Sequence, residues 1–287
     1  MTLISILIGL ALDYFLNGIN RIRNFSWFDF YTQQMELRCS KYAFWNGPVG
    51  LLITLAVPLI LLMGIAYGVG IISVYLTYLL ALAVFIYSLG SELNKLLNSY
   101  IDAIRVDDEA GRLAIEQTLS SEEQTEDRDA AKIIRSILVC AHEHIFGIIF
   151  WFSMLGMFGA LLYCLVVRMK KKFNGIHGAY ADAIRDLHCI LMWPSARMLA
   201  LGFALSGSLV DALAAWRGIT DHTLECNEDV IGKSGLGALQ YQNIQPEEYA
   251  TKDSYLYCIQ EAQSLVNRTL IIWLTALGIM TLGGWLA

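Results

Sequence analysis

Charge is what this chain of 287 residues has least of. Asp, Glu, Lys and Arg make up 16% of it, against about 25% in an ordinary soluble domain. The deficit is concentrated, because between Tyr42 and Ser91 there is no charged residue other than histidine's potential charge, and no histidine either. Apolar residues reach 56%, and the mean hydropathy is +0.51. A plain soluble globule and a disordered chain are both excluded. Positive charge is also missing. The net charge is −6 and the pI is near 5.4, so nucleic acid is no partner. Paired cysteine spacing is absent. Cys39, Cys140, Cys164, Cys189, Cys226 and Cys258 are scattered, with no CxxC and no disulfide framework. No basic start marks a signal peptide, and Asp13 interrupts the first apolar run. That run reads as a retained membrane helix.

What is there is a series of apolar segments. A spanning helix needs about 20 mainly apolar residues. Residues 2–19, 49–68, 71–90, 145–167, 198–216 and 269–287 are the candidates, the second and third joined by a turn at Gly68-Val69-Gly70. Backbone groups in lipid must be satisfied internally, so these segments are helices. The expected fold is all-α: one multi-pass membrane domain with about four to six membrane segments. Polar helical segments fill 91–144, 168–195 and 217–268. No stretch carries strand and turn chemistry, and no repeat period is visible.

Orientation follows from the basic residues. Arg21, Arg23, Arg38 and Lys41 place the first loop in the cytoplasm. The fourth segment conflicts with that rule. If 145–167 spans, then Arg168, Lys170, Lys171 and Lys172 fall outside. Two readings stay open: two ordinary spans that break the charge rule, or a re-entrant pair broken at Gly156–Gly159 and packed against the short 198–210 run.

The polar segments have their own pattern. Leu96, Leu97, Tyr100, Ile101 and Ile104 recur at helix spacing, are interrupted at 106–111, and resume at Leu113. Ser120–Glu123 and Thr125–Arg128 are weak capping signals. Residues 91–144 carry twelve acids against six bases, a solvated face or a surface for a cationic partner. Residues 176–193 form an amphipathic helix that Pro194 stops or re-aims.

Several groups could carry chemistry. His142-Glu143-His144 sits at the mouth of the fourth segment. Two His two apart on a helix point about 200° apart, so they do not share a metal. Gly232-Lys233-Ser234 lacks the glycine of a phosphate loop, since Asn227 stands at that position, and it reads as a loop with glycine breaks. Asp182, Arg185 and Asp186 share one helix face at i, i+3 and i+4. Arg197 enters an apolar run and needs a partner, while Trp193 is an interfacial anchor. This set is an ion-pair lock, or an anionic ligand site of Asp182, Arg185, Asp186 and Arg197 with the basic cluster beside it. Glu143, at the mouth of the fourth segment, is a candidate acid or ligand or an interfacial polar residue, and Asp13 is a carboxylate within a membrane segment, a functional candidate or a group facing water near a helix end. No catalytic residue, metal set or cofactor fingerprint emerges from spacing.

The stretch from His142 to Tyr163, with Trp151, Gly156, Gly159 and Tyr163 as its fixed points, resembles the signature of AmpE-like inner-membrane proteins. These belong with the CobD/CbiB membrane proteins of cobalamin biosynthesis. Ile86 to Gly90, Asp186 to Arg197 ending in Trp193-Pro194-Ser195-Ala196-Arg197, and Phe203 to Gly207 match in order and spacing. The synthase branch differs. Its residues after the N-terminal Leu12-Asp13 are missing, and of its acidic motif before Phe150-Trp151 only Glu143 remains. The resemblance implies a protein of the bacterial cytoplasmic membrane that modulates β-lactamase induction. It would act in the pathway of the AmpD amidase, responding to an anionic cell-wall fragment or to β-lactams, with no cofactor. The alternatives are a CobD/CbiB-like ligase joining an amino alcohol to a corrinoid carboxyl group, and a transporter.

Overall fold

The computed structural model describes residues 2–15, 25–39, 45, 47–90, 92–119, 130–219, 227–241 and 252–284. Among them there is no strand. The helices are α1 (Thr2–Phe15), α2 (Ser26–Cys39), α3 (Pro48–Ile72), α4 (Val74–Ser88), α5 (Glu92–Val106), α6 (Glu109–Leu119) and α7 (Ala130–Ala141). A π-helical turn, His142–Phe146, leads into α8 (Gly147–Lys172). Then come α9 (Ala179–Ser206), α10 (Leu209–Arg217), α11 (Asn227–Ala238) and α12 (Lys252–Leu282). Four helical stretches are long and apolar enough to cross a bilayer: Pro48–Ile72, Ala130–Lys172, Ala179–Ser206 and Asp253–Leu282. The protein is an all-α, multi-pass membrane protein. Asp13 lies in α1, but its side chain and the capping signals at 120–128 fall outside what is described.

The chain divides into two compact units. The first takes residues 1–90, 148–191 and 283–287. Its α3 has 25 residues, about 37 Å of helix at 1.5 Å per residue, enough for a hydrocarbon core of about 30 Å. The expected turn at Gly68–Gly70 is helical instead. The break comes at Ser73, whose hydroxyl accepts from Tyr75 N–H at 3.3 Å and starts α4. Gly68 and Gly70 stay helical because lipid offers their backbone no other partner. Ile60, Leu61, Tyr67, Ile71 and Leu79 are exposed, as lipid-facing residues are.

α8 is not one straight rod. Gly156 has φ 62° and ψ −149°, a conformation that favours glycine. The bend brings Gly159 onto the Trp151 carbonyl oxygen, so any side chain at 159 would collide there. In an unbroken helix, eight residues would separate those two positions by about 12 Å. The break expected between Gly156 and Gly159 is therefore present, at Gly156. The Trp151 indole N–H donates to the Leu191 carbonyl at 3.0 Å and ties α8 to α9.

The same unit shows what the basic cluster packs against. Arg168 forms a salt bridge with Asp29 of α2 at 3.0 Å. Lys172 donates to the Asp29 carbonyl at 3.0 Å and to the Thr32 hydroxyl. Trp27 of α2 also donates to the hydroxyl of Tyr87, at the end of α4, at 2.7 Å. The basic end of α8 and the end of α4 are thus both fastened to α2.

The second unit takes residues 91–147 and 192–282. Leu97, Tyr100, Ile101 and Ile104 of α5 are buried, as their spacing predicts. Asp108 caps α6, accepting from Gly111 N–H at 3.1 Å. Tyr100 and Tyr255 share a hydrogen bond of 2.9 Å that joins α5 to α12. Ser206 and Thr269 join α9 to α12 at 2.7 Å.

Three expectations need correction here. Pro194 does not end a helix, because α9 runs through it to Ser206. The 198–216 segment is not one piece. α9 ends at Ser206, and Ser208 caps a separate α10, accepting from Asp211 N–H. Gly232-Lys233-Ser234 is not a loop but the middle of α11. Its small residues let α11 press against α7, with Gly235 on Leu138, and packing of that kind outweighs poor helix propensity.

Candidate functional site

The most buried polar chemistry in the second unit begins at the π turn. Gly147 N–H reaches back five residues to the His142 carbonyl instead of four. Turns of this kind occur often at functional sites. His142 is 0% exposed and Glu143 is 5% exposed. Across from them is Ser195, also 0% exposed, on the turn after Pro194. His142 Nε2 and Ser195 Oγ are 2.8 Å apart. Ser195 also donates to the Met192 carbonyl at 3.1 Å. A hydroxyl has one proton. With that proton on Met192, the serine oxygen accepts and His142 donates from Nε2. In this state His142 does not act as a base toward Ser195. Both groups are also sealed, so the pair is not an accessible nucleophile. It holds α9 against the π turn.

Two residues further along α9 is Arg197. Its guanidinium donates to the Asn227 side-chain oxygen at 2.9 Å and to the Trp193 carbonyl at 3.1 Å. It also lies 4.2 Å from the centre of the Trp193 ring. A cation over an indole face is stabilised by the ring quadrupole. Among the groups that Arg197 meets are thus a neutral amide and an aromatic ring. Asn227 is 1% exposed and opens α11. Arg135 of α7 meets Asp229, in the same first turn, at 2.6 Å. Ser234 lies further along α11, buried and with no hydrogen-bond partner for its hydroxyl among the described residues.

The remaining predicted residues stand elsewhere. Asp182, Arg185 and Asp186 belong to the first unit and are exposed. Asp182 and Arg185 form the i, i+3 ion pair that their spacing suggested. Arg197 belongs to the second unit. Each of the two groups is therefore described within its own unit. Arg168 and Lys172 of the basic cluster are engaged by α2. Tyr163 is fully buried, Trp193 is 43% exposed, and Pro194 lies within α9. Sequence reasoning missed Ser195, Asn227, Arg135 and Asp229 as partners. Their only signal was the requirement that Arg197 be paired. Among the described residues no group of three His, Cys, Asp or Glu side chains could hold a metal ion.

No protein-family model matches the chain, and neither a curated protein nor a solved structure matches it.

Proposed function

We propose that this chain is a regulatory protein of the AmpE type in the bacterial cytoplasmic membrane. In this reading it modulates β-lactamase induction in response to cell-wall fragments or β-lactams, and it is assigned no reaction. One observation carries the reading. The two most specific stretches of the resemblance, 142–163 and 186–197, are bonded to each other at His142–Ser195 and at Trp151–Leu191. The residues that carry the resemblance are thus the ones the fold uses to hold its helices together. Arg197 is the ligand-facing group in this proposal. A carboxylate on a cell-wall fragment is a stronger acceptor than the Asn227 amide. Exchange of one for the other would release the first turn of α11, which is the signal-bearing change.

The test uses a bacterium with an inducible chromosomal β-lactamase from which the gene for this chain is removed. Removal is expected to change the ratio of induced to basal β-lactamase severalfold. Resupply of the chain restores the ratio, and resupply of Arg197→Ala does not. A ratio indifferent to removal defeats the regulatory reading. A ratio fully restored by Arg197→Ala defeats the proposed site alone.

A further inference from the structure

Helix α2 was not foreseen, and it does not resemble a membrane span. Its inner face is fixed to the membrane helices of its own unit. Phe28 and Thr32 are buried, and Asp29 holds Arg168. Trp27 reaches Tyr87 at the end of α4, and Tyr31 donates to the Thr54 carbonyl in the second turn of α3 at 3.3 Å. Its outer face carries Trp27, Phe30 and Leu37, which are 45%, 63% and 65% exposed. At 100° per residue these three fall within an arc of about 80°, which the half-buried Gln34 shares. Glu36, also exposed, lies about 180° from Trp27, on the opposite face with Thr32 and Asp29.

The level of α2 says what meets this face. One contact is the last turn of α4, and the other is the second turn of α3. Both are where an apolar helix leaves the hydrocarbon. Val49 and Leu52, in the first turns of α3, are exposed at the same level. The exposed apolar side chains of α2 therefore stand at the level of the exposed first turns of α3. Aromatic side chains are enriched at this depth, and helices with one apolar face lie there in the plane of the membrane. Arg38, exposed in the last turn, completes the pattern by reaching the headgroup level.

We infer that α2 lies in the plane of the bilayer interface, on the side of the basic cluster, with Phe30, Leu37 and the face of Trp27 against phospholipid. The surface is an anchor for lipid rather than for another protein. Because Asp29 sits on its inner face, this lipid-bound helix also positions Arg168 and Lys172.

The test places the photo-crosslinker p-benzoylphenylalanine singly at Phe30, Leu37, Glu36 or Ile60 of the full-length chain. Each form is held in vesicles of phosphatidylethanolamine and phosphatidylglycerol and irradiated. Ile60, exposed in mid-α3, is the positive control for lipid contact. The expected result is phospholipid adducts at Phe30 and Leu37 comparable with Ile60 and at least about fivefold above Glu36. Adducts to a second polypeptide at Phe30 and Leu37 would overturn the inference in favour of a protein interface. Adducts at Ile60 with none at Phe30 and Leu37 would overturn it in favour of a water-facing helix. At Phe30 the crosslinker keeps the phenyl ring and adds a benzoyl group on an exposed side chain, so that site reports with little disturbance of the fold.

Discussion

Arg168 in the first unit and Arg197 in the second are the same residue type solving the same problem differently. Each follows an apolar stretch, and each sits over an aromatic ring, Phe25 at 4.6 Å and Trp193 at 4.2 Å. Arg168 then meets a carboxylate, Asp29, in a pair with both side chains more than a third exposed. Arg197 meets an amide oxygen and a backbone carbonyl, and its Asn227 is almost wholly buried. A carboxylate at the surface is screened by water and salt and contributes little. A neutral, buried acceptor avoids the cost of burying a second charge. The Arg168 pair fastens α8 to α2, and the Arg197 pair fastens α9 to the first turn of α11.

The largest difference should appear on removing each partner. Asn227→Ala is expected to lower stability by about 2 kcal/mol, the range for hydrogen bonds to charged groups. Thermal midpoints in detergent would measure it. Replacing Arg197 by Met together with Asn227 by Leu should recover part of the loss, because the stranded charge is then gone. Equal losses for the single and the double variant would mean that the pair's hydrogen bond is not what matters there.

The second effect tests the same unit one turn away. Ser195→Ala removes the acceptor of His142 Nε2 while leaving the imidazole buried. The expected cost is about 1.5 kcal/mol, since an unsatisfied buried donor keeps its desolvation penalty. Combining it with His142→Leu should return much of that stability. If Ser195→Ala leaves the thermal midpoint unchanged, the His142–Ser195 bond does not hold α9 to the π turn.

The two regions also differ in how much of them the sequence disclosed. α3 and α4 were legible as long uncharged runs, and the interruption between α5 and α6 was legible as a lapse in helical spacing. Both are local signals. α2 was hidden because its composition is mixed; what makes it a helix in place is bonding to Tyr87, Thr54 and Arg168, far away in sequence. α11 was hidden because Gly232, Gly235 and Gly237 argue against a helix by propensity, while packing against α7 and α10 argues for one. Pro194 misled for a related reason. In membrane helices proline is tolerated when neighbouring groups satisfy the freed backbone, and α9 runs on through Pro194. The need of Arg197 for a partner was readable from its place in an apolar run. The identity of Asn227, thirty residues on, was not, because no local period links them.

Breaking the surface pair should do less. Asp29→Asn is expected to cost no more than about 1 kcal/mol, and less at high salt, as exposed ion pairs do. The check is the difference in thermal midpoint between variant and parent at low and high ionic strength. A loss as large as that of Asn227→Ala, insensitive to salt, would erase the contrast between the two arginines.

The smallest expected effect concerns Asp211, next to the cap of α10. Its carboxyl is held below its ordinary value of 3.8, first by the Ser208 hydroxyl and then by the Gln240 amide, which donate to it at 2.6 Å and 2.8 Å. Unfolding breaks both bonds and returns the carboxyl to its ordinary value. The stabilisation is therefore complete above that value and fades as pH falls through the lower, folded one. Lowering the pH from about 6 to about 3 should reduce the thermal midpoint of the parent slightly more than that of Asp211→Asn, which has no carboxyl to protonate. The group is open to solvent, so the difference should be smaller than either arginine effect. Parallel pH profiles for the two would mean that the bonds from Ser208 and Gln240 add nothing to folding. Their role would then be to set the start of α10 against the end of α11, where Ser208 N–H meets the Ala238 carbonyl at 2.9 Å.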